Sequence, residues 1–121
     1  MKAILFALAS LIGLAGCAPA AVGPTWNGLG DPGKGKAVIA AAQCGACHDI
    51  PGVIGADGRV GPPLAGFARR TIIAGLLPNT PTDLVRWLRT PQAVKPGDAM
   101  PDTGLSEQQA KDAAAYLYSL H

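Results

Sequence analysis

The chain of 121 residues carries ten Lys and Arg against eight Asp and Glu, a net charge of +2 that supplies no basic field for nucleic acid. Sixteen Gly and eleven Pro make it rich in loops, and Phe, Trp and Tyr together are only 5% of it. A small domain with so few large side chains lies near the lower limit for an apolar core, so it needs something large and flat to pack around.

At the N-terminus, Lys2 gives a positive start and Ala3–Ala15 is an almost unbroken apolar stretch, interrupted by Ser10 and Gly13. That length suits a secretory h-region and falls short of the roughly 20 residues of a membrane-spanning helix. Leu14-Ala15-Gly16-Cys17 resembles the bacterial lipobox, which predicts a signal peptide over residues 1–16 and a lipid on Cys17. Ordinary secretion is the other route: cleavage after Ala18-Pro19-Ala20 would remove Cys17 and leave a soluble periplasmic protein. Both routes deliver the chain to the cell envelope, outside the cytoplasm. Residues 17–30 mix Gly, Pro and small side chains without period and read as a tether, with a root-mean-square reach of roughly 20 Å. Trp26 within it is given no function.

The domain is expected to occupy residues 31–121. Asp31 can cap a helix with Pro32 in its first position, running to about Gln43. Next comes Cys44-Gly45-Ala46-Cys47-His48, whose spacing is that of covalent c-type haem attachment, with each thiol joined to a vinyl group and His48 as the proximal iron ligand. A structural zinc site would need four ligands, and beyond these three only Cys17 and His121 remain. A thioredoxin-like pair would sit in a βαβ pattern, which is not seen, and a disulfide across two residues is poorly supported. One thiol for lipid and two for thioethers leave none for disulfides.

Further along, Thr80 and Pro81 open a second helix whose apolar face is Leu84, Trp87 and Leu88, and Pro91 ends it. Met100 is the only thioether left once Met1 goes with the signal. It sits in Pro96-Gly97-Asp98-Ala99-Met100-Pro101, too broken for helix or strand, where core filler is not expected and a soft ligand can be held at a set distance. Lys95 and His121 are the other groups that could take the sixth position. Ser106-Glu107-Gln108-Gln109 is a capping box opening a last helix with Ala110, Ala113, Ala114 and Leu117 on one stripe. No alternating strand pattern of useful length appears, and the fold class is all-α.

In this order of motifs the chain resembles a class I monohaem cytochrome c from about Pro32 to Leu120. The resemblance implies the cytochrome c fold, with three to four helices around one covalent haem c. It implies that Pro62, in Gly61-Pro62-Pro63-Leu64, offers its carbonyl to the free N–H of His48, which fixes the ring. It also implies that Gly35 and Tyr116 mark a close crossing of the first and last helices. Trp87 matches an aromatic beside the haem, with ordinary helix core as the other reading. Arg70, a better positional match than Arg69, would pair with a haem propionate, with solvated surface as the alternative. Leu77-Pro78-Asn79-Thr80-Pro81, Trp87 and the Met100 loop are similar more narrowly to cytochrome c domains that accompany haem–copper oxidases; Ile72 departs from them where an aromatic is frequent.

The function so implied is single-electron transfer by a carrier, not an enzyme. Its partners would be redox proteins, an oxidase or quinol-oxidising complex, with the membrane reached through the lipid and with neither nucleic acid nor small-molecule substrate. A peroxidase-like enzyme or gas sensor with labile Met100 ligation, and a fixed redox subunit of a larger complex, are the competing functions.

Overall fold

The computed structural model describes residues 28–121. Helix α1 runs over Pro32–Ala41, and the Asp31 carboxylate caps it by accepting the Lys34 N–H at 3.0 Å. The helix stops short of Gln43 because Gln43 adopts a left-handed φ of 56°, which turns the chain into a 3-10 turn at Cys44–Ala46. A second such turn, Phe67–Arg69, precedes two short antiparallel strands, β1 (Ile72–Ile73) and β2 (Leu77–Pro78), with Ile72 opposite Pro78 and Ile73 opposite Leu77. Strands of two residues carry no periodicity, so the sequence pattern could not announce this ribbon. It leaves the fold all-α in character.

Helix α2 spans Pro81–Arg89, capped by Thr80, whose hydroxyl accepts the Asp83 N–H at 3.1 Å. Its expected face of Leu84, Trp87 and Leu88 is the buried one. Pro91 does end α2, but it also opens a one-turn helix α3, Pro91–Val94, since a Pro lacking its N–H fits a first helical position. Helix α4, Glu107–Tyr118, begins in the expected capping box: Ser106 Oγ accepts the Gln109 N–H at 3.2 Å, and Gln109 Oε1 accepts the Ser106 N–H at 2.9 Å.

The first and last helices cross closely. A Cβ on Gly35 would lie 1.9 Å from the Asp112 carbonyl oxygen and 3.0 Å from Tyr116 Cβ, and one on Gly30 would lie 2.6 Å from the same turn of α4. The buried carboxylate of Asp112 accepts the Asp31 N–H at 2.9 Å and the Gln108 amide at 3.0 Å, tying the start of α1 to α4. At the other end Asn79 joins three segments, donating to the Phe67 and Arg70 carbonyls and accepting the Tyr118 hydroxyl at 2.9 Å.

Candidate cofactor site

Helices α1, α2 and α4 surround a cavity of about 670 Å³, walled mainly by apolar side chains including Ile39, Leu64, Phe67, Leu84, Leu88 and Leu117. That volume lies within the roughly 300–1,000 Å³ of cofactor-sized sites. Cys44, Cys47, His48, Pro62, Arg70, Trp87 and Met100 all line it. Seven positions spread over 57 residues of chain are thus brought to one enclosure, between Cys44 and Met100.

The Cys44–Ala46 turn is fixed from outside. Gly58 donates its N–H to Gly45 at 3.0 Å, and a Cβ on Gly58 would lie 2.5 Å from the carbonyl carbon of Cys47. Both thiols are half-buried, and burial pushes the Cys44 thiol up, the opposite of what thiol–disulfide exchange requires. His48 follows, with its Nδ1 2.7 Å from the Pro62 carbonyl. A carbonyl only accepts, so Nδ1 is the donor, and in the neutral ring this makes Nε2 the nitrogen available to a metal. Gly61 packs against the same ring: its N–H donates to Cys47 at 2.8 Å, and a Cβ there would meet His48 Cε1 at 2.3 Å.

Across from this motif in sequence, Met100 is half-buried on the cavity wall, in a loop that turns at Gly97 with φ of 80°. Asp98 Oδ1 accepts the Met100 N–H at 3.0 Å, and its other oxygen pairs with Lys95 at 2.9 Å. The Lys95 ammonium and the Met100 N–H together hold the Asp98 carboxyl below the usual carboxylate range. The Gln92 side chain donates to the Asp98 and Met100 carbonyls and accepts from Gly97. Nothing in the sequence singled out Gln92, because its partners are backbone atoms; Gly61 entered only as part of the Gly-Pro-Pro-Leu motif, with no sign of its contact with the His48 ring.

Arg70 is half-buried, donates to the Pro63 carbonyl and stands 5.4 Å over the Phe67 ring, whereas Arg69 is exposed and away from the cavity. Trp87 belongs to the buried core and lines the cavity as well, so its two readings coincide in one position. Ile72 is half exposed at the cavity rim. Lys95 lines the cavity; His121 is exposed and does not. Cys17, the signal peptide of residues 1–16 and Trp26 lie outside the described residues, as does all but the end of the 17–30 tether.

The residues present fit a covalently held porphyrin: an apolar enclosure, two thiols at its edge, an imidazole with a free Nε2 and a thioether. Such a shell, mostly helical and built around Cys-x-x-Cys-His, defines a c-type haem protein. Residues 33–121 match the family model described as cytochrome c, and the chain belongs to that family. The cofactor of this domain is covalently bound haem c with its iron. The chain is similar to the cytochrome c oxidase subunit 2 of Alkalihalophilus pseudofirmus, 36% identical over 88 residues, which are 72% of this chain and 25% of that protein. It is 39% identical over 82 residues to the cytochrome c oxidase subunit 2 of Bacillus sp. strain PS3, covering 64% of this chain and 23% of that protein. The subunit 2 of Bacillus subtilis matches at 30% over 87 residues, 70% of this chain and 24% of that protein. The chain thus spans about a quarter of the length of these curated relatives.

Proposed function

We propose that this chain is a monohaem cytochrome that passes single electrons between membrane-associated respiratory partners, with a haem–copper oxidase as acceptor. The observation that carries the reading is that His48 and Met100 line one apolar cavity, with the His48 Nδ1 already committed to Pro62. Bound there, haem supplies a one-electron ferric–ferrous couple. Cys44 and Cys47 would hold the ring through thioethers, and the His48 Nε2 and the Met100 sulfur would be the groups offered to its iron. Were both ligands supplied by this chain, no position would be left for substrate, which suits electron transfer over substrate chemistry, and a thioether ligand would favour the reduced state. Trp87, on the cavity wall, would pack beside the ring. Arg70 keeps donors beyond the one given to Pro63, enough to pair with a propionate.

A combined optical and redox titration of the purified holoprotein tests this. The expected result is a six-coordinate, low-spin spectrum with a sulfur-to-iron charge-transfer band when oxidised; a five-coordinate spectrum would overturn it. Met100→Ala should abolish the band and lower the potential.

The names of the relatives support a second reading, in which the domain is a fixed redox subunit rather than a shuttle. Affinity capture from detergent-solubilised membranes separates the two, since a stable stoichiometric complex argues against shuttling. We further propose that residues 1–16 are a signal peptide, that Cys17 carries lipid, and that residues 17–30 tether a domain of residues 31–121 to the periplasmic face of a membrane. The lipobox spacing supports the anchor. Mass spectrometry of the mature N-terminus checks it: a lipid-bearing Cys17 is expected, and an unmodified Ala21 would rule it out.

A further inference from the structure

We infer that Gln92 is the positioning residue for Met100, holding the ligand loop through its backbone; the inference rests on the reading of Met100 as the second axial ligand. Gln92 occupies the second position of α3 and does not itself line the cavity. Every polar atom of its amide goes into the loop that does. Nε2 donates to the Asp98 carbonyl and to the Met100 carbonyl, each at 2.8 Å, and Oε1 accepts the Gly97 N–H at 3.1 Å. The Gln92 backbone N–H reaches the Asp102 carboxylate at 3.1 Å. Residues 97 to 102 are therefore bracketed from one side chain and its own peptide group.

Both backbone polar atoms of Met100 are accounted for: Asp98 Oδ1 takes its N–H, and Gln92 takes its carbonyl. The segment has no helical or strand bonding to fall back on, and the Asp98 N–H to Lys95 carbonyl bond is the remaining backbone bond from residues 97 to 101 among those described. A neutral thioether is a weak ligand whose occupancy depends on being held in place, so the cost of swinging the loop away sets how readily another ligand enters. Gln92 supplies the largest share of side-chain hydrogen bonds opposing that swing.

The test is imidazole binding to the oxidised holoprotein, read optically together with the sulfur-to-iron band, and amide exchange at Gly97. Gln92→Leu removes all three amide bonds and leaves an apolar side chain. Gln92→Glu keeps the acceptor for Gly97 and loses both donors. Imidazole affinity should rise about tenfold or more in both, the equivalent of one or two lost hydrogen bonds. Gly97 exchange should quicken in Gln92→Leu and stay protected in Gln92→Glu, a difference that general destabilisation would not produce. Gln108→Leu, which removes an amide bonded to Asp112 on α4, should leave imidazole affinity as it was. Affinities within about twofold of the parent in both Gln92 variants, or an equal rise in Gln108→Leu, would overturn the inference while Met100→Ala still abolishes the band. A band that survives Met100→Ala would instead remove the ligand reading, and the inference with it.

Discussion

The imidazole of His48 is held from two sides, by the Pro62 carbonyl on Nδ1 at 2.7 Å and by Gly61, which leaves no room for a Cβ against the ring. A methyl group at 61 would sit 2.3 Å from Cε1, so Gly61→Ala must displace either the ring or the backbone that carries Pro62. The expected outcome is a holoprotein with a weakened axial bond, seen as partial high-spin character and a shifted potential, and a stability loss of about 1–3 kcal/mol in denaturant titration. Another residue contributes on the alkaline side. Burial pushes the Tyr118 hydroxyl up to about 12, with the negative charge of Asp83 adding to it. An unfolded chain loses that proton near the ordinary phenol value of about 10, so the contribution is whole below about pH 10 and is lost as pH rises through about 12. Tyr118→Phe should abolish this alkaline slope in pH-dependent unfolding while costing about 1 kcal/mol at neutral pH through the lost bond to Asn79. The thiols and His48 were legible in the sequence because covalent attachment forces their spacing. The roles of Gly61, Gln92 and Asn79 were not, because each depends on groups distant in sequence or on backbone atoms that only folding brings near.

At the level of elements, the capping residues spoke locally and were readable: Asp31, Thr80 and Ser106 each accept the N–H of the residue three positions on. Ser106→Ala should therefore cost about 1 kcal/mol in thermal unfolding without touching the absorption spectrum. The contact between α1 and α4 was legible only by resemblance. Its geometry goes further than a small residue beside Tyr116, since Gly35 meets the backbone of Asp112 itself. A Cβ placed 1.9 Å from that carbonyl cannot be relieved by a rotamer, so the helices must part. Gly35→Ala should lower stability by about 3 kcal/mol or more, and an unchanged melting temperature would show that α1 can slide. The β1–β2 ribbon and α3 escaped the sequence for another reason. Both are shorter than the repeat that periodicity needs, and both are defined by what they hold: β1 gives the cavity rim Ile72 and Ile73, and α3 gives the ligand loop Gln92.

For the molecule as a whole, the composition already implied a core that the side chains alone do not fill. Ala110, Ala114 and Ala115 of α4 are fully buried away from the cavity, while larger side chains, Ile39, Phe67, Leu84 and Trp87, line it. An apolar cavity of about 670 Å³ left unfilled forfeits the packing of its walls, a penalty that grows with the volume left empty. Flooding it with water would lower that penalty but would wet the inner faces of α1, α2 and α4 together. Haem is therefore part of the fold's energetics as well as its chemistry. Protein made as the Cys44→Ser, Cys47→Ser double variant, unable to form thioethers, should lose most of its far-ultraviolet helical signal and its cooperative melting transition. Adding free haem should restore part of that signal, because His48 and Met100 could still bind it, but at a concentration-dependent level that covalent attachment makes unnecessary. A double variant that melted cooperatively without haem would mean that the α1–α4 crossing and the Asp112 and Asn79 ties suffice to hold the shell.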